Sequence, residues 1–171
     1  MSQNWNTPKE YVQLMHRALR GRPHLDPFSN AHSLTGAMEH WYGPDADEHA
    51  VCGFDSSWAA MGDEDGCRVV FNPPWRRAGE AVRKAVAEWE QEGPDVSIVG
   101  LIPSSINSRH WPLIERAPAR CYPHKRLHFT LNGEARASAK NDVALFYLGP
   151  DPYVFADTFC TVGRIHFGVI G

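Results

Sequence analysis

Val69-Val70-Phe71-Asn72-Pro73-Pro74-Trp75 is the stretch that decides how this chain is read. The apolar residues predict a buried strand from Arg68 to Phe71. The prolines cannot continue it, because each fixes φ and removes a backbone donor. The resulting turn presents carbonyl oxygens, to which Asn72 adds a side-chain amide and Trp75 a flat apolar face. In open α/β sheets ligands bind at the carboxyl ends of strands, and this turn occupies such an end. Acceptors beside a stacking surface suit a planar base that carries an exocyclic amine. An ordinary strand-ending Pro-Pro turn is the competing explanation.

Working outward, Val82, Ala85, Val86 and Trp89 share a helical face and predict a helix from about Ala78 to Gln91, ended by Gly93-Pro94. Val96 to Ile102 is a near-continuous apolar run, expected of a strand covered on both faces. A polar loop, Pro103 to Ser108, and a short helix around Trp111 to Arg116 follow. Upstream, Thr7-Pro8-Lys9-Glu10 has the form of a capping box with proline at the first helical position. It predicts a helix from about Pro8 to Arg20, stopped by Gly21 and Pro23. His24 to Phe28 reads as a short strand entering a turn, Ser29 to Asp47 is ambiguous, and Ala50 to Phe54 before Asp55 reads as another short strand. Beyond Arg116 no helix is predicted. Arg126 to Leu131, Val143 to Leu148 and Gly163 to Ile170 read as strands, joined by loops containing Asn132-Gly133, Gly149-Pro150 and Asp151-Pro152. Alternating elements followed by consecutive strands predict an α/β fold with a mostly parallel sheet whose last strands are antiparallel.

Composition bounds the function. At 171 residues and 43% apolar content the chain has room for one core, so a single domain over residues 1–171 is expected, without a large second recognition domain. A net charge of −3 argues against a protein that coats nucleic acid nonspecifically, yet the charge is uneven. Eight acids and no Lys or Arg lie between Glu39 and Asp65, whereas Arg109 to Arg126 holds five Lys or Arg against Glu115 alone. The basic segment is expected to face phosphate and the acidic one to face away; a merely solvated basic face is the alternative. Cys52, Cys67, Cys121 and Cys160 lack metal-ligand spacing and read as reduced thiols, with no metal site. The polar amino terminus and the lack of a long apolar run predict a cytoplasmic protein that neither enters the membrane nor is secreted.

Taken in order, Trp5, Thr7-Pro8, Leu25-Asp26-Pro27, Asp55 with Trp58, Asn72-Pro73-Pro74-Trp75, the Leu101-Ile102-Pro103 strand end, Trp111 and Arg126-Leu127-His128-Phe129 resemble the phage-type, Dam-like DNA adenine amino methyltransferases over nearly the whole chain. The resemblance implies a Rossmann-like class I methyltransferase sheet and transfer of a methyl group from S-adenosylmethionine to the exocyclic amine of adenine in DNA. It further implies cofactor contacts at Thr7, Pro8, Asp26, Pro27, Asn30 and Asp55, and catalytic roles for Asn72, Pro73, Pro74 and Trp75. DNA contacts would come from Ser105, Asn107, Arg109, Lys125 and Arg126 within a loop region at about residues 103–141. Phage or prophage origin and protection from restriction follow as the biological setting, in the bacterial host cytoplasm.

The sequence departs from many methyltransferases in that Asp26-Pro27-Phe28-Ser29-Asn30 contains no glycine, and the family more often has Tyr or Phe where Trp75 stands. Methylation of a cytosine amine, an RNA base or a protein glutamine by the same turn stays open. So does a catalytically inactive DNA-binding remnant.

Overall fold

The computed structural model describes residues 6–29, 33–42, 52–131, 134–135 and 142–168. Helix α1 (Lys9–Ala18) leads into strand β1 (Leu25–Ser29), followed by β2 (Glu39–Tyr42), β3 (Cys67–Phe71), helix α2 (Ala78–Glu92) and strand β4 (Val96–Pro103). Then come α3 (Trp111–Glu115), β5 (Ala119–Pro123), a two-stranded ribbon of β6 (Thr130–Leu131) and β7 (Glu134–Ala135), β8 (Val143–Leu148), α4 (Pro152–Phe159) and β9 (Gly163–Phe167). The main sheet has seven strands in the order β2-β1-β3-β4-β8-β5-β9. The first four are mutually parallel, while β8 is antiparallel to both β4 and β5, and β9 is antiparallel to β5. The fold is therefore α/β with a mixed sheet, parallel on one side and alternating on the other.

The period-2 alternation of the central strands builds two cores. Val69, Phe71, Ile98, Ile102, Ala144, Phe146 and Leu148 face one layer with Val82 and Ala85 of α2 and Ile114 of α3. Val70, Val99, Leu101, Val143, Leu145 and Tyr147 face the other with Met15 of α1 and Phe155 and Phe159 of α4. Strands covered on both faces read as continuous apolar runs, which is why β3, β4 and β8 are legible in the sequence. Glycine is required at position 100, where a Cβ would lie 2.5 Å from the Phe146 ring and 2.8 Å from Phe71.

Several expected elements differ. Helix α4 begins at Pro152 just after Asp151, so Asp151-Pro152 starts a helix rather than forming a loop. Strands β2 and β5 fill stretches in which no strand is predicted. Arg126 to Phe129 is not strand: Leu127 and Phe129 are buried while Arg126 and His128 are exposed, a period-2 burial pattern outside any strand. Cys52 forms a β-bridge and Gly53 to Asp55 a turn, with Ala50 and Val51 outside the described residues. Strand β1 runs on through Pro27 to Ser29, and its register with β2 slips between Asp26 and Ser29. A proline without an N–H is tolerated at such an irregularity. Among the described residues, no helix is long and apolar enough to cross a membrane.

Candidate functional site

The chain leaves β1 outward to β2, then returns to place β3 on the other side of β1 and continues to β4. The order reverses between β1 and β3, and in such sheets the crevice beyond the carboxyl ends of those two strands is where ligands bind. Asn72 is the first residue after β3 and sits at this edge. The loop after β4, residues 104–110, lies at the same edge because β3 and β4 are parallel. Lys125 and Arg126 follow the end of β5, which points the same way as β4 because both strands are antiparallel to β8.

The Asn72 amide is half-buried, and its Nδ2 donates to Thr7 Oγ1 at 3.4 Å across 65 positions of sequence. Thr7 itself is only 3% exposed. The expected capping box does not form. Helix α1 starts at Lys9, Pro8 is the N-cap, and no side chain caps it. The helix instead uses the Pro8 carbonyl, which accepts from the N–H groups of Tyr11 and Val12. The Thr7 hydroxyl is thus turned away from the helix and toward the Asn-Pro-Pro-Trp turn.

Trp75 opens a 3-10 turn, Trp75–Arg77, that feeds α2, and its ring stands edge-to-face on Phe129 with centroids 5.8 Å apart. Pro73 is buried and Pro74 exposed, and the Pro74 carbonyl accepts from Arg77 N–H at 2.8 Å. The supports of Asn72 and Trp75 are themselves joined. Asn6 N–H donates to the Thr130 carbonyl at 2.9 Å, and Thr130 N–H returns a bond to Asn6 at 3.2 Å. Residues 6–7 and 129–130 therefore form one platform behind the turn. Sequence reasoning missed it, since no local pattern marks a contact between segments more than 120 positions apart. Asn72 Oδ1 is closed to solvent.

The residues expected to meet a methyl donor are arranged unevenly. Asp26 is buried, and both its oxygens are engaged: Oδ1 accepts from Phe28 N–H at 3.2 Å, while Oδ2 accepts from Ser33 Oγ at 3.0 Å and Thr35 Oγ1 at 2.7 Å. Burial pushes its carboxyl pKa above the ordinary value, against the pull of those three bonds. Pro27 is buried beside it, and Asn30 lies outside the described residues. Asp55 is exposed on the Cys52–Asp55 turn. That turn is pressed against the end of β1, where a Cβ on Gly53 would fall 1.9 Å from the Pro27 carbonyl oxygen. Phe54 packs on Phe28 with centroids 4.5 Å apart and receives the Arg77 guanidinium 4.0 Å above its ring. Trp58 covers no open site: it is fully buried, donates Nε1–H to the Gly53 carbonyl at 2.8 Å, and packs on Phe28 and Phe71.

At the same edge Ser105, Asn107 and Arg109 are exposed on the loop after β4, together with Ile106. His110 follows. Burial, with Arg83 nearby, holds its pKa below the ordinary value, and Ser108 Oγ lies 3.2 Å from its Nε2. Lys125 and Arg126 are exposed, and Arg126 Nε lies 3.3 Å from Asp142 Oδ1. Among the described residues, neither Arg109 nor Lys125 enters an ion pair. Of the acidic segment, Glu39 opens β2 and Asp63 to Asp65 precede β3, both at the opposite, amino edge, whereas Asp55 belongs to the carboxyl edge. The four cysteines are all free thiols. A shallow groove lined by Trp89, Glu90, Gly93, Pro94, Gly149 and Pro150 lies at the amino edge, away from Asn72.

The arrangement offers an amide and an aromatic face on a braced turn, an exposed carboxylate at Asp55 and, at the same edge, the cations Arg109 and Lys125, which enter no ion pair among the described residues. Such a set can hold a planar ring, hydrogen-bond its edge and attract phosphate. Compared with known proteins, the chain matches no family model and no curated protein.

Proposed function

We propose that this protein methylates the exocyclic amine of adenine in DNA, with S-adenosylmethionine as donor, on a Rossmann-like methyltransferase sheet. The observation that carries the reading is the Asn72-Pro73-Pro74-Trp75 turn at the carboxyl end of β3, beside the point where strand order reverses. An aromatic exocyclic amine is a poor nucleophile because its lone pair is delocalised into the ring. The Asn72 oxygen and the Pro73 carbonyl accept its hydrogens and favour the pyramidal geometry that localises the lone pair. Trp75 stacks on the base, a contact worth ~1–3 kcal/mol in other nucleic-acid complexes.

An exposed acid at this edge supports donor binding. Asp55 is exposed and able to accept from an amine, while the oxygens of Asp26 are already occupied and shape the loop instead. When bound, S-adenosylmethionine supplies an electrophilic methyl on a sulfonium. The amine nitrogen forms the new C–N bond, the C–S electron pair stays with sulfur, and the surplus amine proton passes to water. A duplex hides this amine in a base pair, so a duplex substrate requires base flipping. Arg109, Lys125 and Arg126 are suited to hold the backbone of the flanking nucleotides.

A second reading, a DNA-binding remnant without transfer, is favoured by two observations: Asn72 Oδ1 is closed to solvent, and the Asp26 carboxylate is spent internally. The experiment is incubation with a trideuteromethyl donor and unmethylated genomic DNA, followed by mass spectrometry of the nucleosides. Labelled N6-methyladenine is the expected product. Labelled cytosine would redirect the base assignment, and unlabelled DNA together with an absence of donor binding by calorimetry would favour the remnant.

A further inference from the structure

We infer that Thr7 is a positioning residue for Asn72: its hydroxyl oxygen takes the amide nitrogen and so keeps Oδ1, closed to solvent until substrate enters, as the end that accepts from the substrate amine. The inference rests on the methyl-transfer reading and assigns Thr7 a role other than donor contact. A carboxamide has a donor end and an acceptor end on opposite sides, so binding one end sets where the other points. In the structure Nδ2 is the end bonded to Thr7 Oγ1. The opposite orientation, with Thr7 donating to Oδ1, would aim amide hydrogens at the amine hydrogens of the substrate and repel them.

Thr7 is well placed for this task. It is 3% exposed, it does not cap α1, and the preceding residue is locked to Thr130 by two backbone hydrogen bonds. The hydroxyl is thus carried by chain fixed on both sides, by the β6 ribbon before it and by Pro8 and α1 after it. At 3.4 Å the bond is long, so its effect is that of a weak orienting contact rather than a strong anchor.

The test compares Thr7→Val, which keeps the shape and loses the hydroxyl, with Thr7→Ser, which keeps it. Two readouts are needed: single-turnover methyl transfer to DNA, and the Asn72 side-chain NH2 signal in a nitrogen-proton NMR spectrum, assigned by its loss in Asn72→Asp. For Thr7→Val the expected result is a roughly two- to fivefold slower transfer step, the lower end of what one hydrogen bond contributes, with KM for donor and DNA unchanged. Its Asn72 NH2 signal moves and exchanges faster, while Thr7→Ser resembles the wild type in both. The inference is overturned if Thr7→Val transfers at the wild-type rate, if it raises only the donor KM, if Thr7→Ser falls as far as Thr7→Val, or if the Asn72 signal does not respond. Should the wild-type protein transfer no methyl at all, the methylation reading falls, and the NH2 signal still decides whether Thr7 holds Asn72.

Discussion

The two edges of the sheet treat their polar residues in opposite ways. At the amino edge they satisfy one another. His24 is buried and accepts from Arg68 N–H through Nδ1 at 3.0 Å, so its Nε2 carries the proton and donates to Asp63 Oδ2 at 2.9 Å. That bond holds the Asp63 carboxyl below its ordinary pKa range. Arg20 pairs with Asp151 and Arg116 with Glu90 along the same edge. At the carboxyl edge Arg109, Lys125, Ser105, Asn107 and Asp55 stand exposed instead. The polar residues of the first edge hold loops together; at the second, Asp26 and Arg126 are likewise engaged, by Ser33 and Thr35 and by Asp142, while Arg109, Lys125 and Asp55 stay exposed. On the proposed function the carboxyl edge is the working face.

The largest expected effect is on that face. Asn72→Ala should slow methyl transfer by ~10²–10³, as removal of one preorganised polar contact does elsewhere, while donor affinity and the thermal midpoint stay near wild type. A parallel fall in stability would make Asn72 a structural residue like those of the amino edge. His24→Ala should do the reverse. It strips the partner from Arg68 N–H and should cost about 1–3 kcal/mol in urea unfolding, with DNA affinity unchanged.

How far the contrast is legible in the sequence depends on the range of each contact. Val69-Val70-Phe71 and Val96 to Ile102 announce their strands because a strand buried on both faces must be apolar throughout, and α2 announces itself by the spacing of Val82, Ala85, Val86 and Trp89. Helix α4 does not. It offers Phe155 and Phe159 one turn apart, and Asp151-Pro152, a turn signal, also starts helices. In the site, the position of Asn72 at a strand end is legible, but its bond to Thr7 is not, since the capping-box pattern explains Thr7 locally and gives the wrong partner. Asp26 shows the same limit. Its turn with Phe28 is readable, whereas capture of its other oxygen by Ser33 and Thr35 depends on how the chain returns after β1.

Smaller effects sharpen the comparison. Replacing both Arg109 and Lys125 with Ala should weaken DNA binding and reduce the slope of log K against log salt by about 1 for each phosphate that is no longer neutralised. An unchanged slope would return these side chains to the solvated surface. The smallest effect concerns Asp26. Its folded-state pKa is raised, so the stability it contributes is whole below the unfolded carboxylate pKa and is lost as pH rises through the folded value. Asp26→Asn should flatten that decline, which thermal midpoints measured from about pH 4 to about pH 8 would read. A midpoint that falls equally with pH in both proteins would place the titrating group elsewhere.

Hydrogen exchange of the protein with and without duplex DNA tests the working face most directly. Slowed exchange is predicted in residues 104–110 and 124–128 at the carboxyl edge, with residues 62–66 and 149–151 at the amino edge unchanged. Protection confined to the amino edge, or none at either, would contradict the account.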